Sequence, residues 1–399
     1  MKRLCALLIA LLVLAMAVPA MATWTRVMTM GNQPMFIQDD YNIWSWTSTV
    51  NNYPRHMIVD HSIDAESYEF GDLGNSDVDW DGGTRVGMII PAFGTSVIGA
   101  FISDFDVDYP FTPGTAPAND ADQYIDLFYG YRGANWDLGL RLDYYNGSIE
   151  AGGKQNQSHI GLNAGVGFNL NANLLEINAF YRSISFTNEV LGPAPNDPIT
   201  EKDGGSDIGI AARYMIAYNN MVTLVPAFTY RSLNISETVT ATVPPGVGNG
   251  EENKTTGWDL GIGCNTVPLS GVEFLTSLGV RSITYQDTDT TTTPPPIQDE
   301  SAKHLPYISF GADIQLKNWL AMRVGANKTW DTETDKTTTP ETKESMASFT
   351  YMLGAGIMVG DVQFDVEVTT DWLSAGPYFL SGSSAGDMFG YISFKYDYR

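Results

Sequence analysis

Met388-Phe389-Gly390-Tyr391-Ile392-Ser393-Phe394-Lys395-Tyr396-Asp397-Tyr398 reads as two interleaved rows. Ile392, Phe394, Tyr396 and Tyr398 fall on one side, and Tyr391, Ser393, Lys395 and Asp397 on the other. A period of two with one apolar and one polar row marks a half-buried β-strand.

The same rhythm runs upstream from His56. Trp136, Leu138, Leu140, Leu142 and Tyr144 alternate with Asp137, Gly139, Arg141 and Asp143, and Val362, Phe364, Val366 and Val368 alternate with Gln363, Asp365 and Glu367. Seven short connections carry the Gly, Asn and Asp of hairpin turns: 92–94, 133–135, 171–173, 219–220, 269–270, 317–318 and 360–361. Eight longer polar connections lie between them, at about 64–82, 107–122, 146–157, 187–205, 237–254, 287–304, 331–346 and 373–386. Fifteen connections imply sixteen strands, all antiparallel. The runs 135–145, 158–170 and 174–186 reach the nine to eleven residues that a tilted membrane-spanning strand needs. The reading is an all-β transmembrane up-and-down barrel with short periplasmic turns and long extracellular loops, closed so that no strand edge is left in lipid. Tyr131, Trp136, Tyr218 and Trp319 near short turns, with Tyr144, Trp258 and Trp372 near long loops, fit two interfacial girdles.

Lys2-Arg3, an apolar run to Val18 and Ala20-Met21-Ala22 read as a signal peptide, residues 1–22, ahead of a lead-in segment 23–55 and a barrel 56–399. No later run is apolar enough for a spanning helix. The whole chain carries a formal charge of −24, and loss of Lys2 and Arg3 makes it more acidic still. Such a surface disfavours nucleic acid as a partner. Cys5 leaves with the leader, so Cys264 has no intramolecular disulfide partner and reads as a packing residue.

With its alternating aromatic-rich end, the chain from His56 to Arg399 resembles the bacterial outer-membrane β-barrels of porin type, although that class usually ends on the aromatic residue and this chain adds Arg399. The resemblance implies a place in the cell outer membrane among lipid and lipopolysaccharide, insertion by the barrel-assembly machinery, passive diffusion of small hydrophilic solutes or ions, and often a homo-oligomer.

Residues 23–55 break the strand rhythm. Asp39 to Trp46 followed by Thr47 to Asn52 can form a short capped helix before Tyr53-Pro54, and the aromatic content exceeds that of a free tail. Two readings stand side by side: a plug presenting Phe36, Trp44 and Trp46 to the lumen, or an ordered lead-in strap. The stretch resembles the N-terminal hatch of long-chain fatty-acid transporters, without their Asn-Pro-Ala element.

The inward rows collect Arg85, Arg132, Arg141, Arg182, Arg213, Arg231, Arg281, Arg323 and Lys395, facing Asp126, Asp137, Asp143, Glu176, Asp207, Asp259, Glu273, Asp313, Asp365, Glu367, Asp371 and Asp397. Charges of both signs across a pore set a transverse field and govern ion selectivity, or they pair between neighbouring strands and keep the lumen solvated. Inward glycines, among them Gly161, Gly165, Gly167, Gly261, Gly263 and Gly354, leave room for water, a plug or an infolded loop. In the first long loop Asp77, Asp79 and Asp81 precede Gly82-Gly83, a spacing that begins like a calcium loop, although Met88 stands where its closing acid belongs. Ca²⁺ is the one cofactor considered, against a solvated acidic loop. The four histidines show no metal spacing, and Asp60 and His61, neighbours on one strand, point to opposite faces. No enzyme is expected. Three functions compete: an open porin, a plugged transporter of hydrophobic substrates, and a structural or adhesive protein acting through acidic loops.

Overall fold

The computed structural model describes residues 23–62, 83–104, 121–150, 153–191, 198–240, 251–289, 297–335, 342–368, 372 and 389–398. Sixteen strands form one closed antiparallel barrel. In chain order they are β1 (His56–Ser62), β2 (Thr84–Pro91), β3 (Ser96–Ser103), β4 (Ala121–Arg132), β5 (Trp136–Glu150), β6 (Gly153–Leu170), β7 (Asn173–Leu191), β8 (Pro198–Ala217), β9 (Val222–Thr240), β10 (Glu251–Leu269), β11 (Val272–Asp289), β12 (Ile297–Lys317), β13 (Leu320–Asp335), β14 (Thr342–Val359), β15 (Val362–Val368) and β16 (Phe389–Asp397). Each pairs with its sequence neighbours, and β1 meets β16 from His56↔Asp397 to Ser62↔Tyr391. The C-terminal stretch thus closes the barrel, with Ser393 and Lys395 buried inside.

The outer rows are apolar and exposed: Leu142, Ile160, Leu162, Tyr181, Ile210, Leu260 and Leu278 all face outward. In water such a surface would aggregate; around a closed barrel it is the lipid-facing belt of an outer-membrane protein. Tyr131, Trp136, Tyr218 and Trp319 near the short turns, and Tyr144 and Trp258 farther along their strands, are exposed on the same outer face.

Two expectations are corrected. The connections read as long loops at 146–157, 187–205, 287–304 and 331–346 are largely strand, and the one at 237–254 is strand at both ends, so that β6 to β12 run for 18 to 21 residues. Their polar composition hid the continuing alternation. The extra length leaves the membrane, and the polarity of the faces inverts there. On β7 the outer row passes from Ile177, Ala179 and Tyr181 to Ser183 and Ser185, while the buried inner row passes from Arg182 to Ile184 and Phe186. On β9 the outer row passes from Phe228 and Tyr230 to Ser232 and Asn234, and the inner from Arg231 to Leu233 and Ile235. A wall that is polar outside and apolar inside is a wall standing in water.

The second correction concerns residues 23–55. The single helix expected there is two elements, α2 (Asn42–Ser45) and a 3-10 helix (Thr47–Asn52), preceded by an unexpected α1 (Trp24–Thr29). Thr23 caps α1, its hydroxyl accepting from the Arg26 N–H at 3.4 Å. The strap lies in the lumen over residues 23–51, and Asn52, Pro54 and Arg55 at its end are exposed. Trp24, Val27, Met30, Phe36, Ile37, Ile43, Trp44 and Val50 are buried in one cluster with wall residues Ile58, Ile89, Phe101, Phe128, Val225 and Leu275.

Candidate functional site

The site is the surface between this strap and the inner wall. Its first ingredient is the absence of side chains. A Cβ on Gly139 would coincide with the Thr47 carbonyl, and one on Gly311 with the Met30 carbonyl. A Cβ on Gly263 would meet the Phe36 ring 2.8 Å away. The inward glycines therefore let strap backbone and rings lie directly on the sheet.

Its second ingredient is aromatic. Trp44 packs edge-on against Phe101 at 5.0 Å and Phe128 at 6.0 Å between ring centroids, and its indole N–H donates to Asp126 at 3.0 Å. The Arg85 guanidinium lies 4.2 Å over the Trp44 ring, and that of Arg213 lies 4.4 Å over Trp46. Trp46 also packs with Phe180 and Ala211. The Phe36 carbonyl accepts from Asn265 at 3.0 Å.

Its third ingredient is charge. Arg26 reaches Glu273 at 2.6 Å on β11, Asp313 at 2.7 Å on β12 and Asp39 of the strap at 3.0 Å. Burial opposes its charge, yet Glu273, Asp313 and Asp39 outweigh burial and raise its pKa above the ordinary guanidinium value. Asp40 contacts His56 of β1 and Lys395 of β16, both at 2.9 Å. Burial works against the Asp40 carboxylate, but Lys395 and the His56 hydrogen bond hold its pKa below the usual carboxylate range. Asp39 goes the other way: burial and then the Asp40 carboxylate push it up, and Arg26 only partly draws it back. Thr23 donates to Asp365 at 2.5 Å, and the Thr25 and Ser393 hydroxyls meet at 2.6 Å.

Apart from Asp371, which lies outside the described residues, the cations and acids read as inward-facing are on the inner wall, but around the strap they are covered and paired. Arg141 bonds Asp126 at 2.6 Å, Arg213 bonds Glu176 at 2.6 Å, and Arg323 bonds Asp365 at 2.7 Å and Asp313 at 3.1 Å. Farther out, Arg182 bonds Asp143 at 3.1 Å, Arg231 bonds Asp207 at 2.9 Å, and Arg281 bonds Asp259 at 3.0 Å. Arg132 bonds Asp137 at 2.8 Å near the short-turn end. Glu367 is buried on β15. Phe36, Trp44 and Trp46 are all buried in the lumen. Asp77, Asp79 and Asp81 lie outside the described residues; among the described residues no cluster of three or more His, Cys, Asp or Glu could hold a metal ion. Asp60 is buried inside while His61 is exposed and bonded to Thr84, so the two do not form one site.

Sequence reasoning missed Arg26, Asp39, Asp40 and His56. The available signal was the surplus of inward acids: Glu273 finds its cation not on a neighbouring strand but in the strap.

No protein-family model and no curated protein matches the sequence. Among solved structures the chain is similar to the unliganded ferric citrate transporter FecA, with TM-score 0.47 and 10% identity over 79% of this chain and 51% of that one, so that it spans about half of that transporter's length. It is similar to a Pseudomonas aeruginosa FadL homologue, with TM-score 0.46 and 12% identity over 96% of this chain and 99% of the other. A third likeness is to the Ralstonia pickettii toluene transporter TbuX, with TM-score 0.44 and 8% identity over 95% and 99% of the two chains. The assignment as an outer-membrane barrel rests on the closed strand order and the apolar outer belt of this chain itself.

Proposed function

We propose that this protein is a plugged outer-membrane transporter of small apolar solutes rather than an open porin. The observation that carries the reading is the strap: residues 23–51 occupy the lumen as a packed apolar core instead of leaving a column of water beside the charged wall. The inverted rim supports the solute class. Ile184, Phe186, Leu233 and Ile235 give the inner wall above the arginines the character of a protein core, which suits a solute leaving water. The arginine–carboxylate pairs then serve as the polar seat of the strap and not as a selectivity field.

The test compares two solute classes in the folded wild-type protein. In proteoliposome swelling the protein gives no entry of a small sugar such as arabinose, while in cells with an intact lipopolysaccharide leaflet its expression accelerates uptake of the apolar fluorophore N-phenylnaphthylamine. Rapid sugar-driven swelling without a gain in fluorophore uptake would restore the porin reading. No effect on either would leave the surface loops as the place of function.

A further inference from the structure

The strap divides chemically at residue 40. Residues 41–53 contain no charged side chain, whereas residues 23–40 contain Arg26, Asp39 and Asp40. The wall is built to match. Behind the uncharged half each polar group already has a wall partner: Arg141 with Asp126 at 2.6 Å, Arg213 with Glu176 at 2.6 Å, Asn178 with Asn163 at 2.8 Å and Arg132 with Asp137 at 2.8 Å. To these the strap adds uncharged donors and acceptors and two rings, Trp46 under the Arg213 guanidinium and Trp44 under that of Arg85. Thr47 donates to Asn178 at 2.7 Å, Ser48 to Glu176 at 3.3 Å and Asn51 to the Leu138 carbonyl at 2.9 Å. Behind the charged half Arg323 pairs with Asp365 and Asp313 within the wall, but Glu273 and Lys395 take their counter-ions from the strap, with Arg26 on Glu273 at 2.6 Å and Asp40 on Lys395 at 2.9 Å.

Removing the two halves therefore has unequal consequences. Withdrawing 23–40 breaks the ion pairs of Arg26 with Glu273 and Asp313 and of Asp40 with Lys395 and His56, a greater loss because each removes one partner of a charge pair. Withdrawing 41–53 breaks hydrogen bonds in which the strap partner is uncharged, among them those of Trp44 to Asp126 and Ser48 to Glu176, together with ring contacts, and leaves the wall pairs Arg141–Asp126, Arg213–Glu176 and Arg132–Asp137 intact. We propose that the strap opens by halves: residues 41–53 swing off β3 to β8 while residues 23–40 stay ion-paired to β11, β12, β16 and β1, so that passage follows the β3–β8 side of the lumen. This deepens the reading of the strap as a gate and rests on it for its functional meaning, but the motion itself is measurable without any solute.

The experiment has a conformational arm and a transport arm, both with Cys264 replaced by serine and folding checked by heat-modifiable gel mobility. Ser48 and Thr25 are both buried, so a thiol at either is labelled by maleimide only when its half opens. Relative to the unfolded protein, Ser48→Cys is expected to label roughly tenfold or more faster than Thr25→Cys. Hydrogen exchange of the unaltered protein gives the same comparison without a variant, residues 41–53 exchanging before residues 24–31. Equal rates would mean that the strap moves as one body, and a faster Thr25→Cys that the wrong half was chosen; either result overturns the proposal.

In the transport arm each half is locked by a disulfide. A Cβ on Gly167 lies 3.7 Å from the Ser48 Cβ, within the span that a disulfide bridges. Oxidised Ser48→Cys/Gly167→Cys is expected to stop fluorophore uptake until reductant is added, while Thr25→Cys/Ser393→Cys takes up the fluorophore equally fast in its oxidised and reduced forms. Uptake that survives the first lock, or stops with the second, overturns the proposal. Unequal labelling with no uptake in any protein would uphold opening by halves and reject the apolar-solute reading instead.

Discussion

At Gly139 a hydrogen atom in place of a methyl group decides whether the strap can seat. The Thr47 carbonyl occupies the place of a Cβ there, whereas a Cβ on Gly167 would find its nearest neighbour, Ser48 Oγ, at an ordinary 3.4 Å. Gly139→Ala is expected to destabilise the seated strap by about 1–3 kcal/mol through overpacking, raising both current leak and Ser48→Cys labelling, while Gly167→Ala leaves both unchanged. If both glycines tolerate alanine alike, the strap does not lie on the sheet as described. The ion pairs give a second residue-scale test. Lys395→Ala takes the ammonium partner from the Asp40 carboxylate and leaves it with His56 and the Asp39 carboxyl, and breaking such a buried pair costs about 3–5 kcal/mol. Adding Asp40→Asn should recover part of that loss, because the coupling of the pair is then absent from both sides of the cycle. Urea midpoints of the four proteins check it; strict additivity would contradict the contact. The alternation around Ser393 and Phe394 showed that Lys395 points inward. It could not show which strap residue waits there, because a period of two encodes a face and not a partner.

Among elements, the strands were legible and the strap was not. Strand positions follow from side-chain parity and from turn residues such as Gly360 and Asn171, both at positive φ. The strap lacks such a code: its helices are short, and its shape comes from the wall it rests on. Even the strands misled beyond the point where outer and inner rows exchange polarity, because the polar run from Thr187 reads as a loop although β7 continues to Leu191. That exchange makes a prediction for the membrane boundary on β7. Leu162→Arg, beside Tyr181 in the register, should cost about 2–4 kcal/mol of folding stability in lipid, and Ser185→Arg close to nothing. Similar costs at both positions would place Ser185 in lipid and undo the water-exposed rim.

The strap also carries a pH dependence of calculable sign. Asp39 has a raised pKa, from burial and then from Asp40, so the seated strap binds that proton more tightly than the unfolded chain does. Its contribution to stability is full below the ordinary carboxylate range and is lost as pH rises through the raised value. Asp40 is held low by Lys395 and His56 against burial, so its contribution is present above the ordinary range and is lost as pH falls. Asp39→Asn should therefore remove the decline in strap stability on the alkaline side of the carboxylate range and leave the acid loss in place. Strap labelling across pH reads both arms, and an unchanged alkaline decline would remove Asp39 as its source.

At the scale of the whole molecule, one buried carboxylate joins the strap to the barrel seam. Asp40 touches β1 through His56 and β16 through Lys395, the two strands whose pairing closes the sheet. Closing the barrel and seating the strap thus use the same residues, and a segment that looks like a lead-in supplies much of the buried core. Single-channel conductance of the refolded protein in a planar bilayer tests that closure most directly, with and without residues 24–50 and with folding verified by gel mobility. A lumen filled by the strap predicts no large steady openings in the intact protein and large ones after the deletion. Large, stable openings in the intact protein would contradict it.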